Sequence, residues 1–259
     1  MVLTDEFRQN ISEIDLIVFD IDGVLIDTSD SFPQAIVESV YRYGKLNRIT
    51  DWIKPTKEQV SAFKRVPGFN NDWDLAEGLL VFQLANVVNS ADIDLTEYLG
   101  QIGGMGGGIT GVRNWVEKYG STELQGLYDL EQIRQLTQEY YAGEKYCEQL
   151  YDFEPKYGIG TGTMETETLL VEVEKLHRLA QYYHLGIYTG RDSNETDVAL
   201  QHIGFDGFAE NCIATDDGAM PTKPDPTPIN QMLEEFDGSG VLFIGDSRDD
   251  YMTIINFRE

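Results

Sequence analysis

The sequence predicts an α/β fold in which a parallel-sheet core domain is interrupted by an inserted all-helical domain. The apolar run at residues 16–19, "LIVF", has the composition of a buried parallel strand. The middle of the chain carries helical patterns, whereas strand-like and helical segments alternate after residue 162. Such alternation is typical of a Rossmann-like sheet. We therefore predict a discontinuous core domain at residues 1–29 and 162–259 and a helical domain at residues 30–161.

Each element is predicted from its own hydrophobic period. Helical periodicity in the inserted domain predicts helices at residues 33–44, 56–65, 75–88, 112–120 and 130–146. The glycine-rich stretches 103–111 and 157–163 are predicted to be flexible connections. The rest of the core is predicted to contain a long amphipathic helix at 164–183, strands at 184–190, 208–215 and 240–246, and helices at 193–204 and 225–236.

The charge balance limits the classes of partner. The chain has 45 acidic and 19 basic residues, a formal net charge of -26. Such acidity argues against nucleic acids and anionic membranes as partners. No apolar run reaches the length of a membrane span and the first residues lack a signal-peptide pattern, so we expect a soluble cytoplasmic protein. Residues 42–65 are locally basic, which is most simply interpreted as the solvated surface of a helix. The alternative is that these residues attract an anionic substrate.

Polar side chains follow three of the predicted strands. They are Asp20 and Asp22 after "LIVF", Thr189 and Arg191 on either side of Gly190 after "LGIY", and Asp246 after "VLFIG". Because ligands bind at the carboxyl ends of strands in open parallel sheets, we expect these residues to line one crevice. Lys223, on a loop whose backbone is fixed by Pro224 and Pro226, is a further candidate for this site.

The expected crevice contains more carboxylates than one lysine can neutralise. Acidic residues crowd this edge of the predicted sheet: Asp20, Asp22, Asp246, Asp249 and Asp250. Mg²⁺ takes carboxylate, water and phosphate oxygens as ligands, so the sequence predicts a magnesium site that binds a phosphate group. The spacing of Asp20 and Asp22 allows one to attack while the other handles a proton, and Gly23 leaves room for a phosphate near the backbone.

Four short motifs in order resemble those of the haloacid dehalogenase superfamily. The motifs are "DIDGVL" (20–25), "YTGR" (188–191), "KPDP" (223–226) and "GDSRDD" (245–250). The resemblance is to the subfamily with a helical cap inserted after the first motif, the phosphoglycolate phosphatase-like group. It implies Mg²⁺-dependent hydrolysis of a small phosphorylated metabolite through an aspartyl-phosphate.

The resemblance also assigns roles to individual residues. Asp20 matches the nucleophile, Asp22 the general acid and base, Thr189 the hydroxyl that contacts the phosphoryl group, and Lys223 the cation that neutralises it. The implied metal ligands are Asp20, the backbone carbonyl of Asp22, Asp246 and Asp250, with Asp249 the neighbouring alternative. Substrate contacts are expected from Gly23, Gly190 and Arg191 and, in the cap, from Asn70 and Asn71.

Other readings of the same core stay open. A phosphomutase would keep the phosphoryl group from water, and a phosphonate hydrolase would use a Schiff-base lysine, for which Lys45, Lys54, Lys57 and Lys64 are candidates. A dehalogenase would not need an acid at Asp22. A catalytically silent phosphometabolite-binding protein is a further alternative, because a fold does not determine a function. The sequence leaves the oligomeric state unassigned.

Overall fold

Segments near both ends of the chain form a four-stranded parallel sheet. The computed structural model describes residues 13–69, 71–89, 93–218 and 220–258. Its strands are β1 (Leu16–Phe19), β2 (Ile26–Asp27), β3 (Thr168–Leu169), β4 (His184–Tyr188), β5 (Ile213–Ala214) and β6 (Val241–Ile244). The sheet has the order β5-β4-β1-β6, and β2 pairs separately with β3 in antiparallel orientation. Strand β1 is buried along its whole length, which explains its uninterrupted apolar sequence.

The register of the sheet aligns the carboxyl ends of its strands. Phe19, the last residue of β1, lies opposite Ile187 of β4 and Ile244 of β6. The N–H group of Asp20 extends the ladder by donating to the Ile244 carbonyl at 2.9 Å. The residues that follow these strands are therefore brought to one edge of the sheet, as predicted.

Helices of the second unit, Thr28–Glu167, form a separate core. They are α1 (Phe32–Leu46), α2 (Lys57–Lys64), α3 (Asp72–Asn89), α4 (Leu95–Gly104), α5 (Gly108–Tyr119), α6 (Thr122–Leu127) and α7 (Leu130–Tyr151). Their core is rich in aromatic side chains, among them Phe63, Tyr98 and Trp115. Helix α3 lies at its centre because it contacts α1, α2, α5, α6 and α7.

The sheet unit, Met1–Asp27 with Thr168–Glu259, buries both faces of its sheet. Its helices are α8 (Val173–Leu179), α9 (Ser193–Ile203), α10 (Thr227–Glu235) and α11 (Arg248–Phe257). Ile17 and Phe19 pack with residues of α8 and α9, whereas Leu16 and Val18 pack with residues of α10. Alternate residues of one strand thus support two cores, which confirms the predicted Rossmann-like fold class with a helical insertion.

The chain returns from the helical unit to the sheet unit later than the predicted boundary between residues 161 and 162. Buried Glu139 of α7 accepts the N–H groups of Lys156 and Tyr157 at 2.7 and 2.9 Å, and the Tyr141 hydroxyl donates to Glu167 at 3.0 Å. These bonds tie residues 152–167 to the helices, so the units divide between Glu167 and Thr168, and at the first crossing between Asp27 and Thr28. The stretch 157–163 is therefore anchored to α7, contrary to the predicted flexible connection.

The prediction of one long helix at residues 164–183 is wrong. The segment instead contains a 3-10 turn (Thr163–Thr166), strand β3 and the short helix α8. The pairing of Leu169 with Ile26 accounts for the difference, because a strand partner distant in sequence overrides local helical periodicity. The strand predicted at 208–215 shortens to β5 after a 3-10 turn (Glu210–Cys212).

The glycine-rich stretch 103–111 is mostly helical rather than a loop. Helices α4 and α5 leave only residues 105–107 between them, and Gly108 donates its N–H to the Pro67 carbonyl at 3.0 Å. Among the described residues, no helix has both the length and the apolar character needed to cross a membrane.

Candidate active site

Asp20 is a buried carboxylate at the carboxyl end of β1. Only 6% of the residue is exposed. Its Oδ1 accepts the N–H of Ile21 at 2.7 Å, and its Oδ2 lies 3.0 Å from Nζ of Lys223. Burial raises the pKa of Asp20 to about 7, with the nearby carboxylates of Asp250 and Asp22 adding to the rise and Lys223 opposing it. The site therefore holds a carboxylate whose charge needs more compensation than one lysine provides.

Lys223 joins two carboxylates from different segments. Its Nζ lies 2.6 Å from Oδ1 of Asp250 as well as 3.0 Å from Oδ2 of Asp20. Burial disfavours the ammonium, but the two carboxylates outweigh burial and raise the pKa of Lys223. Tyr188 supports the lysine, because its hydroxyl lies within hydrogen-bonding distance of the carbonyls of Pro221 and Asp225, which flank Lys223.

Asp250 is the acidic residue of the last motif that reaches this cluster. Its Oδ2 accepts the N–H groups of Asp246 and Ser247 at 3.1 and 2.9 Å and the Ser247 hydroxyl at 2.7 Å. Both of its oxygens are thus engaged, one by Lys223 and one by the turn before α11. Asp250 belongs to the group of three carboxylates described next, whereas the half-buried Asp249 does not.

Three carboxylates lie close enough to share a cation. Oxygens of Asp20, Asp246 and Asp250 lie within 4.8 Å of one another. Gly23 makes room for this group, since a Cβ there would lie 2.1 Å from Oδ2 of Asp246, and its φ of +72° also favours glycine. Hard divalent cations prefer such oxygen ligands, so the residues fit Mg²⁺. Asp20, Asp246 and Asp250 are the side chains that could hold such an ion.

Asp22 forms an ion pair with Arg191 from the next motif. Nε and Nη2 of Arg191 donate to Oδ1 of Asp22 at 3.0 and 2.7 Å. The arginine side chain is 2% exposed and that of Asp22 is 30% exposed. Thr189 is buried at the end of β4, where its hydroxyl oxygen accepts the N–H of Arg191 at 3.2 Å, and half-buried Gly190 lies between them.

The predicted residues of the helical unit are engaged within that unit. Oδ1 of Asn71 accepts the N–H groups of Trp73 and Asp74 at 2.9 and 3.3 Å, which caps the start of α3. Asn70 lies outside the described residues. Within the basic segment, three lysines pair with carboxylates of the same unit, in the pairs Lys54–Glu38, Lys57–Asp30 and Lys64–Asp72.

Two features of the site were missed from the sequence. The Asp22–Arg191 pair joins residues 169 positions apart, and no local pattern indicates it. The role of Tyr188 as a support of the lysine loop was also missed, although its place directly before Thr189 is a signal that could have been followed. Strand-end tyrosines otherwise suggest only core packing.

A family model identifies the class of protein that combines this parallel-sheet fold with the acidic cluster and the lysine. The model described as haloacid dehalogenase-like hydrolase matches residues 14–257. The chain therefore belongs to the haloacid dehalogenase-like hydrolase family, which confirms the resemblance.

Two solved structures of other proteins are similar in fold to this chain. The phosphatase Tt82 from Thermococcus thioreducens is 26% identical with a TM-score of 0.67, over 94% of this chain and 88% of that one. A predicted phosphoglycolate phosphatase from Haemophilus somnus is 17% identical with a TM-score of 0.53, over 93% of this chain and 80% of that one, and shows likeness of fold alone. Comparison with curated proteins gives no match.

Proposed function

We propose that this protein is a Mg²⁺-dependent phosphatase that hydrolyses a small phosphorylated metabolite through an aspartyl-phosphate on Asp20. The observation that carries the proposal is the buried cluster of Asp20, Lys223 and Asp250, which lies beside Asp246. Nζ of Lys223 lies 3.0 Å from Oδ2 of Asp20 and 2.6 Å from Oδ1 of Asp250. A buried carboxylate with a raised pKa at the carboxyl end of a strand is typical of a functional site. The similarity to a solved phosphatase supports the choice of substrate class.

The proposed reaction has two steps. An oxygen of Asp20 attacks phosphorus and the bond to the leaving oxygen breaks, while Asp22 gives its proton to that oxygen. Water then attacks phosphorus, Asp22 takes a proton from the water, and the bond to Asp20 breaks to release phosphate. Lys223 and the Thr189 hydroxyl stabilise the phosphoryl oxygens. When bound, Mg²⁺ neutralises negative charge on the phosphoryl group and on Asp20 and Asp246.

The helical unit is proposed to act as the cap that excludes bulk water during this reaction. Its residues form one continuous insertion between β2 and β3. We also propose a cytoplasmic location for this acidic chain. Of the four lysines that a phosphonate hydrolase could use, Lys54, Lys57 and Lys64 pair with carboxylates of the helical unit.

The test is phosphate release from a panel of phosphate monoesters with and without Mg²⁺. Wild type is compared with Asp20→Asn and with Asp197→Asn, an exposed aspartate of α9 that serves as the matched control. We expect metal-dependent release that is lost in Asp20→Asn and kept in Asp197→Asn. Failure of folded, Mg²⁺-supplied wild type to release phosphate from any ester would refute the phosphatase and favour a mutase, a phosphonate hydrolase or a binding protein.

A further inference from the structure

Arg191 contacts Asp22 through two donors that meet on a single oxygen. Nε and Nη2 lie 3.0 and 2.7 Å from Oδ1 of Asp22. A guanidinium offers a fork of donors that commonly grips both oxygens of a carboxylate. Here the fork holds one oxygen, and Oδ2 lies outside these two contacts. The geometry therefore fixes one end of the carboxylate and leaves the other for proton transfer.

The backbone of Arg191 is held on both sides. Its N–H donates to the Thr189 hydroxyl oxygen at 3.2 Å, and its carbonyl accepts the N–H of Asp216 at 2.8 Å. The side chain is 2% exposed, so its reach to Asp22 is set by packing rather than by a flexible surface arm. A buried arginine with a fixed backbone is suited to positioning a partner.

We propose that Arg191 is a positioning residue that orients Asp22 for proton transfer, and that it does not itself hold the phosphoryl group. This proposal rests on the proposed phosphatase function, and it replaces the direct substrate contact expected from the sequence. The proton of Asp22 goes to the leaving oxygen as the ester bond breaks, and Asp22 takes a proton back from water in the second step. Arg191 exchanges no proton and breaks no bond.

The role predicts a dependence on the leaving group. An alkyl phosphate releases a strongly basic alkoxide, which needs a proton as its bond to phosphorus breaks. A p-nitrophenyl phosphate releases a stable phenolate that leaves without one. A residue that only orients the acid therefore matters for the alkyl ester, whereas a residue that binds the phosphoryl group matters equally for both esters.

The experiment compares the two esters in wild type, Arg191→Met and Arg191→Lys. Methionine keeps much of the side-chain volume without charge, and lysine keeps the charge without the fork of donors. Arg178→Met, at an exposed position of α8, is the matched control. We expect kcat/KM for the alkyl ester to fall about 100-fold in both Arg191 variants. The readout is kcat/KM because it reports the first step, whereas kcat also includes the attack of water, in which Asp22 acts for both esters. The kcat/KM for p-nitrophenyl phosphate and the affinity for inorganic phosphate should change little.

Equal losses of kcat/KM for both esters, or weaker binding of inorganic phosphate, would overturn the proposal by making Arg191 a phosphoryl ligand. No loss for either ester would also overturn it. If Arg191→Met does not fold, Arg191→Lys decides on the same readouts. Inactivity of wild type toward both esters would refute the proposed function and the Arg191 proposal with it, whereas an active wild type with unselective losses refutes the Arg191 proposal alone.

Discussion

Replacing Lys223 with methionine tests whether one lysine compensates two buried carboxylates. The lysine side chain is 2% exposed, and those of Asp20 and Asp250 are 8% and 3% exposed. Removing the ammonium leaves two carboxylates facing each other without it. Breaking a buried ion pair in this way costs about 3–5 kcal/mol. For a chain of this size that free energy corresponds to a fall in Tm of roughly 10 °C.

The measurement is thermal unfolding of wild type and Lys223→Met, first with a chelator and then with Mg²⁺. If the carboxylate group binds Mg²⁺ as proposed, the ion would supply positive charge there, and binding to the folded state would raise its stability. We expect Mg²⁺ to raise the Tm of the variant more than that of wild type, because the variant has the larger uncompensated charge.

Lys175→Met is the matched control. Lys175 pairs with Glu172 at 2.9 Å on the surface, where the two side chains are 57% and 71% exposed. Surface pairs contribute at most about 1 kcal/mol, so this variant should unfold close to wild type. The assignment of Lys223 as the compensating cation is wrong if Lys223→Met is no less stable than Lys175→Met. It is also wrong if Mg²⁺ raises the Tm of Lys223→Met no more than that of Lys175→Met.

Three further variants test other contacts. Burial raises the pKa of Glu77 from 4.5 to about 7. Its contribution to the free energy of unfolding is therefore full below pH 4.5 and is lost as the pH rises through 7. Denaturation measured from pH 5 to 8 should show the free energy of unfolding of wild type falling by about 3 kcal/mol more than that of Glu77→Gln. Tyr188→Phe removes the hydroxyl that holds the Lys223 loop, and kcat for phosphate release should fall about tenfold. Glu139→Gln turns one of the two oxygens that accept backbone N–H groups into a donor NH2, which should cost about 2 kcal/mol and admit limited proteolysis at 152–162. That region stays intact if the anchoring is unimportant.

Three of the four strands of the sheet were predictable because each has a local signal. Residues 16–19, 184–188 and 241–244 are apolar and rich in β-branched or aromatic side chains, and each run is followed by polar residues. The segment 164–183 was not predictable in the same way. Its apolar residues have helical spacing, yet Leu169 pairs with Ile26, and such a distant partner leaves no trace in a local period.

The members of the site followed from the sequence, but their pairing did not. Parallel strands brought four carboxylates to one edge as predicted: Asp20, Asp22, Asp246 and Asp250. Counting charges along the chain matched them with Lys223 alone, whereas the structure adds Arg191 through its pair with Asp22. The carboxylates of Asp20, Asp246 and Asp250 still lie within 4.8 Å of one another, and this group includes Asp20, whose pKa burial raises to about 7. A divalent cation is the charge that such a group of oxygens would attract. The argument for a magnesium site therefore survives the addition of the arginine.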